Sequence, residues 1–101
     1  MVTINQILPI IKPILDKHSI EKVTVFGSYA RGDNKADSDI DIVIDSGGHL
    51  KGIMFFVAAD ELSALLPVKS DIYEQRELKP GSSLYNEIQK EGVVIYDRQG
   101  Y

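Results

Sequence analysis

The sequence predicts an α/β (α+β) fold, a small mixed β-sheet covered by helices. Three observations lead there. Short runs of β-branched residues, Lys22–Phe26, Ile40–Ile44, Val68–Glu74 and Val93–Tyr96, are bounded by Gly, Pro or polar residues. Longer segments with apolar residues at helical spacing lie between them. The chain has only 101 residues, enough for one sheet and its covering helices in a single domain over 1–101.

Taken in order, Ile4, Ile7, Leu8, Ile11 and Leu15 place apolar side chains on one helical face, so Thr3 to about Lys17 reads as a helix capped by Thr3. Pro9 and Pro13 oppose it, because each lacks a backbone donor, so the helix is kinked or starts properly near Leu8. Lys22–Phe26 is a strand stopped by Gly27, and Ser28 opens a short helix over Tyr29, Ala30 and Arg31. Ile40–Ile44 is apolar on both faces after Asp41, as in a central strand. Asp45–Gly48 is a loop, and Leu50–Leu66 a helix ended by Pro67. Ile53–Val57 carries more apolar side chains than one helix face needs; core packing is the expected reason and a partner interface the alternative. Val68–Glu74 is a strand, Ser82–Glu91 a helix capped by Ser82 and closed by Gly92, and Val93–Tyr96 a last strand.

Bulk properties narrow the function. Hydrophobic residues make up 44%, so no staple is needed to hold a core. The absence of cysteine excludes disulfides and thiolate metal sites and fits a reducing compartment. There is no signal-peptide pattern and no apolar run long enough for a bilayer, so a cytoplasmic protein is expected. The net charge is −4 with no basic run, which disfavours direct nucleic-acid binding.

The stretch Gly27 to Asp41 carries the chemistry. Glycine permits a tight turn and close backbone approach, and the start of a helix offers free amides, so Gly27 and Ser28 form a candidate phosphate site. Arg31 either neutralises phosphate or pairs with a nearby aspartate. Gly27 and Gly32 have P-loop spacing, but Asp33 stands where that loop needs lysine. After ten intervening residues, Ser28 is followed by Asp39 and Asp41, two apart and therefore on one face of a strand, within about 6 Å of each other. At an effective dielectric of ~20 their repulsion costs on the order of 2–3 kcal/mol, which a divalent cation reverses. Hard oxygen ligands suit Mg2+, and Mn2+ also fits. Asp37 and Asp45 read as solvated. An EF-hand fails because Ile42 and Gly48 occupy the positions of its glycine and bidentate glutamate. Asp71 is the candidate third carboxylate, provided that its strand neighbours Ile40–Ile44. His18 is expected to be exposed at a helix end and His49 on the surface, so neither is a base.

Gly27-Ser28, Arg31-Gly32 and Ser38-Asp39-Ile40-Asp41, with strands on both sides, resemble the minimal nucleotidyltransferase (MNT) pattern of the DNA polymerase β-like superfamily. The tail Glu87-Ile88-Gln89-Lys90-Glu91-Gly92 is similar too, and Asp71 matches the family's third carboxylate. The resemblance implies the polymerase-β-like nucleotidyltransferase fold and two Mg2+ ions held by Asp39, Asp41 and Asp71. It also implies transfer of AMP from ATP with release of pyrophosphate. Short prokaryotic members are antitoxins that attach AMP to a tyrosine of a HEPN-type ribonuclease toxin encoded nearby (AMPylation), in a hetero-oligomer with it. The alternatives are a non-catalytic antitoxin or nucleotide-binding module that masks its partner by complex formation, with ATP as a structural ligand, and a nucleotidyltransferase for small molecules, which the length disfavours.

Overall fold

A computed structural model describes residues 2–99. The chain runs α1 (Ile7–Lys17), β1 (Lys22–Phe26), α2 (Ser28–Arg31), β2 (Ile40–Asp45), α3 (Ile53–Leu65), β3 (Ser70–Glu74), α4 (Ser83–Glu91) and β4 (Val93–Asp97), with single 3₁₀ turns at Ile4–Gln6 and Gln75–Glu77. The four strands form one mixed sheet in the order β3-β2-β1-β4. β1 is antiparallel to both β2 and β4, whereas β2 and β3 are parallel and joined through α3. β2 is thus an interior strand, as its apolar run predicts.

Register sorts the strand residues onto two faces. Val23 pairs with Ile44, Val25 with Ile42, and Ile42 with Ile72. This face packs on Ile7, Ile11 and Leu15 of α1 and on Ala58 and Leu62 of α3. The opposite face carries Thr24 beside Val43, Phe26 beside Asp41, and Asp41 beside Asp71. There α4 is the cover: a Cβ on Gly92, just past its end, would come within 2.8 Å of the Thr24 side chain.

Several boundaries differ from expectation. The α-helix begins at Ile7 rather than Thr3, preceded by a 3₁₀ turn in which the Thr3 N–H donates to Gln6 Oε1 at 2.9 Å. Pro9 then falls in the first turn, where backbone donors have no helical acceptor, and Pro13 remains inside α1. α3 starts after Gly52, whose φ of +55° with extended ψ is not helical, so Leu50 enters the core ahead of the helix. β3 starts at Ser70, two residues later than expected, with Pro67 closing off the preceding turn. Ser82 caps α4 as expected, its Oγ accepting from the Tyr85 N–H at 3.2 Å.

Two expectations are overturned. Most of the Ile53–Val57 stretch is not core: Ile53 is 76% exposed, Met54 48%, Phe56 65% and Val57 41%, and only Phe55 packs against the core cluster. Only the flank of α3 bearing Ala58 and Leu62 is buried, because α1 and the sheet meet the helix from one side. His18 is not an exposed helix end. Its imidazole is largely enclosed, with Nε2 2.6 Å from Glu61 Oε1, and Lys17 pairs with the same carboxylate.

Candidate functional site

The site lies where β1 ends and β2 begins. Gly27 has φ +74° and ψ −151°, a combination open essentially to glycine alone. A Cβ there would stand 2.5 Å from Asp41 Oδ2, so the turn and the carboxylate share one space. α2 is a single turn in which the Ala30 and Arg31 N–H groups both donate to the Gly27 carbonyl at 3.1 Å. Tyr29 anchors the turn in the core. Ser28 stays half-buried at its start.

Asp41 and Asp71 stand side by side in register on parallel strands. Asp39 sits one residue before β2 and is exposed, as is Asp71, while Asp41 is half-buried. Asp39 and Asp71 together border an open cavity of about 540 Å³ beneath the end of α3. Burial is the main cause that raises the Asp41 pKa above the usual carboxylate range; the charges of Asp71, Glu87 and Asp39 add to it, and Arg31 opposes it. The phenol of Tyr73 is raised in the same way, first by burial and then by Asp71, Asp41 and Glu87.

Arg31 turns to acidic side chains: Nε donates to Asp33 Oδ2 at 3.2 Å and one terminal nitrogen to Glu91 Oε2 at 2.9 Å. Both partners raise its pKa further. Of the two roles open to it from sequence, ion pairing is the one visible here. His49 is exposed, as expected.

Glu87 and Tyr73 were not singled out from sequence as site residues, yet the charge of Glu87 acts on Asp41 and on Tyr73, and Tyr73 lies in the field of Asp71 and Asp41. Tyr73 shares a strand face with Asp71 by two-residue spacing, a pattern available from sequence. Glu87 reaches the site only because α4 folds back over this face, and no local pattern announces that.

The donor set fits a divalent cation. The carboxyl group of Asp41 is half-buried among like charges, the situation a cation relieves. Among the described residues no three acidic or histidine side chains are drawn close enough to hold a metal ion as they stand.

A small mixed sheet that sets acidic residues beside a glycine turn suits nucleotide chemistry, and the family match gives the class, a nucleotidyltransferase. The Polymerase beta, Nucleotidyltransferase family matches residues 10–101, and the chain belongs to that family. Membership implies a nucleotide substrate and a divalent metal in general. The chain is 34% identical over 86 residues to the protein adenylyltransferase MntA of Thermococcus cleftensis, spanning 80% of this chain and 86% of that relative. The fold is similar to a toxin–antitoxin complex solved with AMP-PNP, with a TM-score of 0.73, 24% identity, and coverage of 90% of this chain and 73% of that one. It is also similar to a chain in the complex of the tri-AMPylated Shewanella oneidensis HEPN toxin with its MNT antitoxin. There the TM-score is 0.69 at 21% identity, with 93% of this chain and 73% of that one covered. At these identities the two complexes speak for the fold. No helix among the described residues is long and apolar enough to cross a membrane.

Proposed function

We propose that this chain is a protein adenylyltransferase, a single catalytic domain that transfers AMP from ATP to a tyrosine hydroxyl of a HEPN-type toxin encoded nearby and so acts as its antitoxin in the prokaryotic cytoplasm. The observation that carries the reading is the register of Asp41 with Asp71 beside the glycine turn at Gly27. The name and 34% identity of the MntA relative support a protein as acceptor.

In this reading the amides at the start of α2 and the Ser28 hydroxyl donate to the triphosphate, and the missing side chain of Gly27 lets backbone and phosphate approach. Asp39, Asp41 and Asp71 would hold Mg2+ (two ions if all three share them, with Mn2+ as a substitute), which supplies neutralisation of phosphate charge and acidifies the acceptor hydroxyl. Asp71, the more exposed carboxylate of the in-register pair, takes the proton of the attacking hydroxyl. The acceptor oxygen bonds to the α-phosphorus as the bond to the bridging oxygen breaks, leaving AMP on the acceptor and releasing pyrophosphate. A tyrosine hydroxyl starts near pKa 10, so removal of its proton is the demand on Asp71.

The test is the intact mass of the neighbouring gene's product after co-expression with this chain or with its Asp39→Asn/Asp41→Asn variant. The expected result is a gain of one or more AMP units with the intact chain only. A second reading, an antitoxin that works by contact alone, is favoured by the exposed apolar flank of α3. A stable complex with both versions and no mass gain with either would establish it.

A further inference from the structure

At the far end of β3, away from Asp71, a cavity of about 530 Å³ opens between the starts of α3 and α4. Phe55, Phe56, Ile72, Tyr73, Leu78 and Leu84 give it an apolar lining at the edge strand. Glu74 also borders it and is only 5% exposed. Its Oε2 is sealed from solvent without a hydrogen-bond partner, and Oε1 receives one long contact, 3.5 Å, from the Ser46 N–H. Buried carboxyl oxygens ordinarily have donors, and among the described residues none is supplied to Oε2. Arg76, two positions on, lies over Gly48 instead, its guanidinium 3.6 Å from where a Gly48 Cβ would stand.

The cavity is continuous with a second feature. Phe56 belongs both to its wall and to the exposed strip of Ile53, Met54 and Val57 on α3. An apolar strip that ends at a buried acceptor without a donor is complementary to an apolar segment that brings a cationic donor. Glu77 on the cavity wall adds a second acidic group of the same sign, and Lys51 and Arg76 are the cations of an adjoining cavity that Glu74 also borders.

We infer that this surface docks the acceptor protein through an apolar segment of that partner carrying one arginine or lysine, whose donors reach Glu74. The inference rests on the protein-acceptor reading above and adds a recognition site to it. Glu74 is three residues beyond Asp71 on β3, about 10 Å at the usual rise per residue, and points to the other face of the sheet; because β3 is an edge strand, a partner held there reaches the acidic site around that edge.

The isotopically labelled chain, titrated with benzamidine and with neutral benzamide, tests the pocket by amide shifts. Saturable shifts at Phe55, Glu74 and Leu84 are expected with benzamidine, weaker by about ten-fold with benzamide or in Glu74→Gln. No saturable shift, or equal shifts in all three cases, overturns the assignment. Calorimetric titration with the adjacent gene's product tests the docking: Phe56→Ser and Glu74→Gln are expected to weaken binding about ten-fold, with the Asp39→Asn/Asp41→Asn variant binding as the parent does. Phe56 is largely exposed, so its substitution leaves the fold in place. Parental affinity in both docking variants overturns the surface. Phe56-dependent binding without AMP transfer overturns the catalytic reading alone, and no binding by any version overturns both.

Discussion

Gly27 and Asp41 occupy one space: a Cβ on the first would lie 2.5 Å from Oδ2 of the second. Gly27→Ala therefore meets two penalties, the glycine-only backbone conformation, worth about 1–3 kcal/mol, and displacement of Asp41. The melting temperature is expected to fall by several degrees, at roughly 4–8 °C per kcal/mol for a domain of this size. AMP transfer should fall about 10²-fold or more, as for other small misplacements of reacting groups. Calorimetry and intact mass measure the two effects separately.

Asp41→Asn separates stability from activity. The folded-state pKa of Asp41 is raised, so its ionised form opposes folding. Below the ordinary value of 3.8 the group is protonated whether folded or not and costs nothing. As pH climbs from there through the raised folded value the penalty develops, and at neutral pH it is fully present. Metal-free Asp41→Asn should thus melt higher than the parent at pH 7, with the difference shrinking as pH falls toward 3.8. Millimolar Mg2+ should raise the melting temperature of the parent and not of the variant, while AMP transfer is lost in the variant.

Arg31 pairs with Asp33 and Glu91 at the surface. Such pairs contribute little to stability, so Arg31→Ala should leave the melting temperature unchanged. If the guanidinium leaves these partners for phosphate when ATP binds, KM for ATP rises about ten-fold. An unchanged KM would assign Arg31 to ion pairing alone.

Ser82→Ala removes the acceptor of the Tyr85 N–H at the start of α4. Loss of an N-cap costs about 1 kcal/mol, and a fall of about 4–8 °C in melting temperature is expected. Since α4 carries Glu87 over the acidic face, AMP transfer measured well below that melting temperature should change by less than the effect of Gly27→Ala.

Local patterns account for most of the agreement between sequence and structure. β1 was legible residue for residue because Lys22–Phe26 is stopped by a glycine, and Ser82 was legible because capping is a short-range hydrogen bond. Boundaries failed where a backbone conformation overrode composition, as at Gly52 ahead of α3. The surroundings of His18 were misjudged because its partner, Glu61, is 43 residues away in the chain. The exposure of Ile53, Met54, Phe56 and Val57 was misjudged because apolarity reports a preference for burial and is silent on whether a neighbour is present.

The two-residue spacing of Asp39 and Asp41 is legible in the chain itself, although Asp39 stands one residue before β2, and the glycine turn before them follows from one residue's backbone freedom. The place of Asp71 did not follow from its neighbours in the chain. It stands beside Asp41 because β2 and β3 run parallel in one register, a choice made by the packing of α3 across the sheet. The field of Glu87, the unpartnered oxygen of Glu74 and the bare flank of α3 arose in the same way. Each depends on which elements meet in space, and that is set by long-range burial of the core rather than by any short stretch of residues.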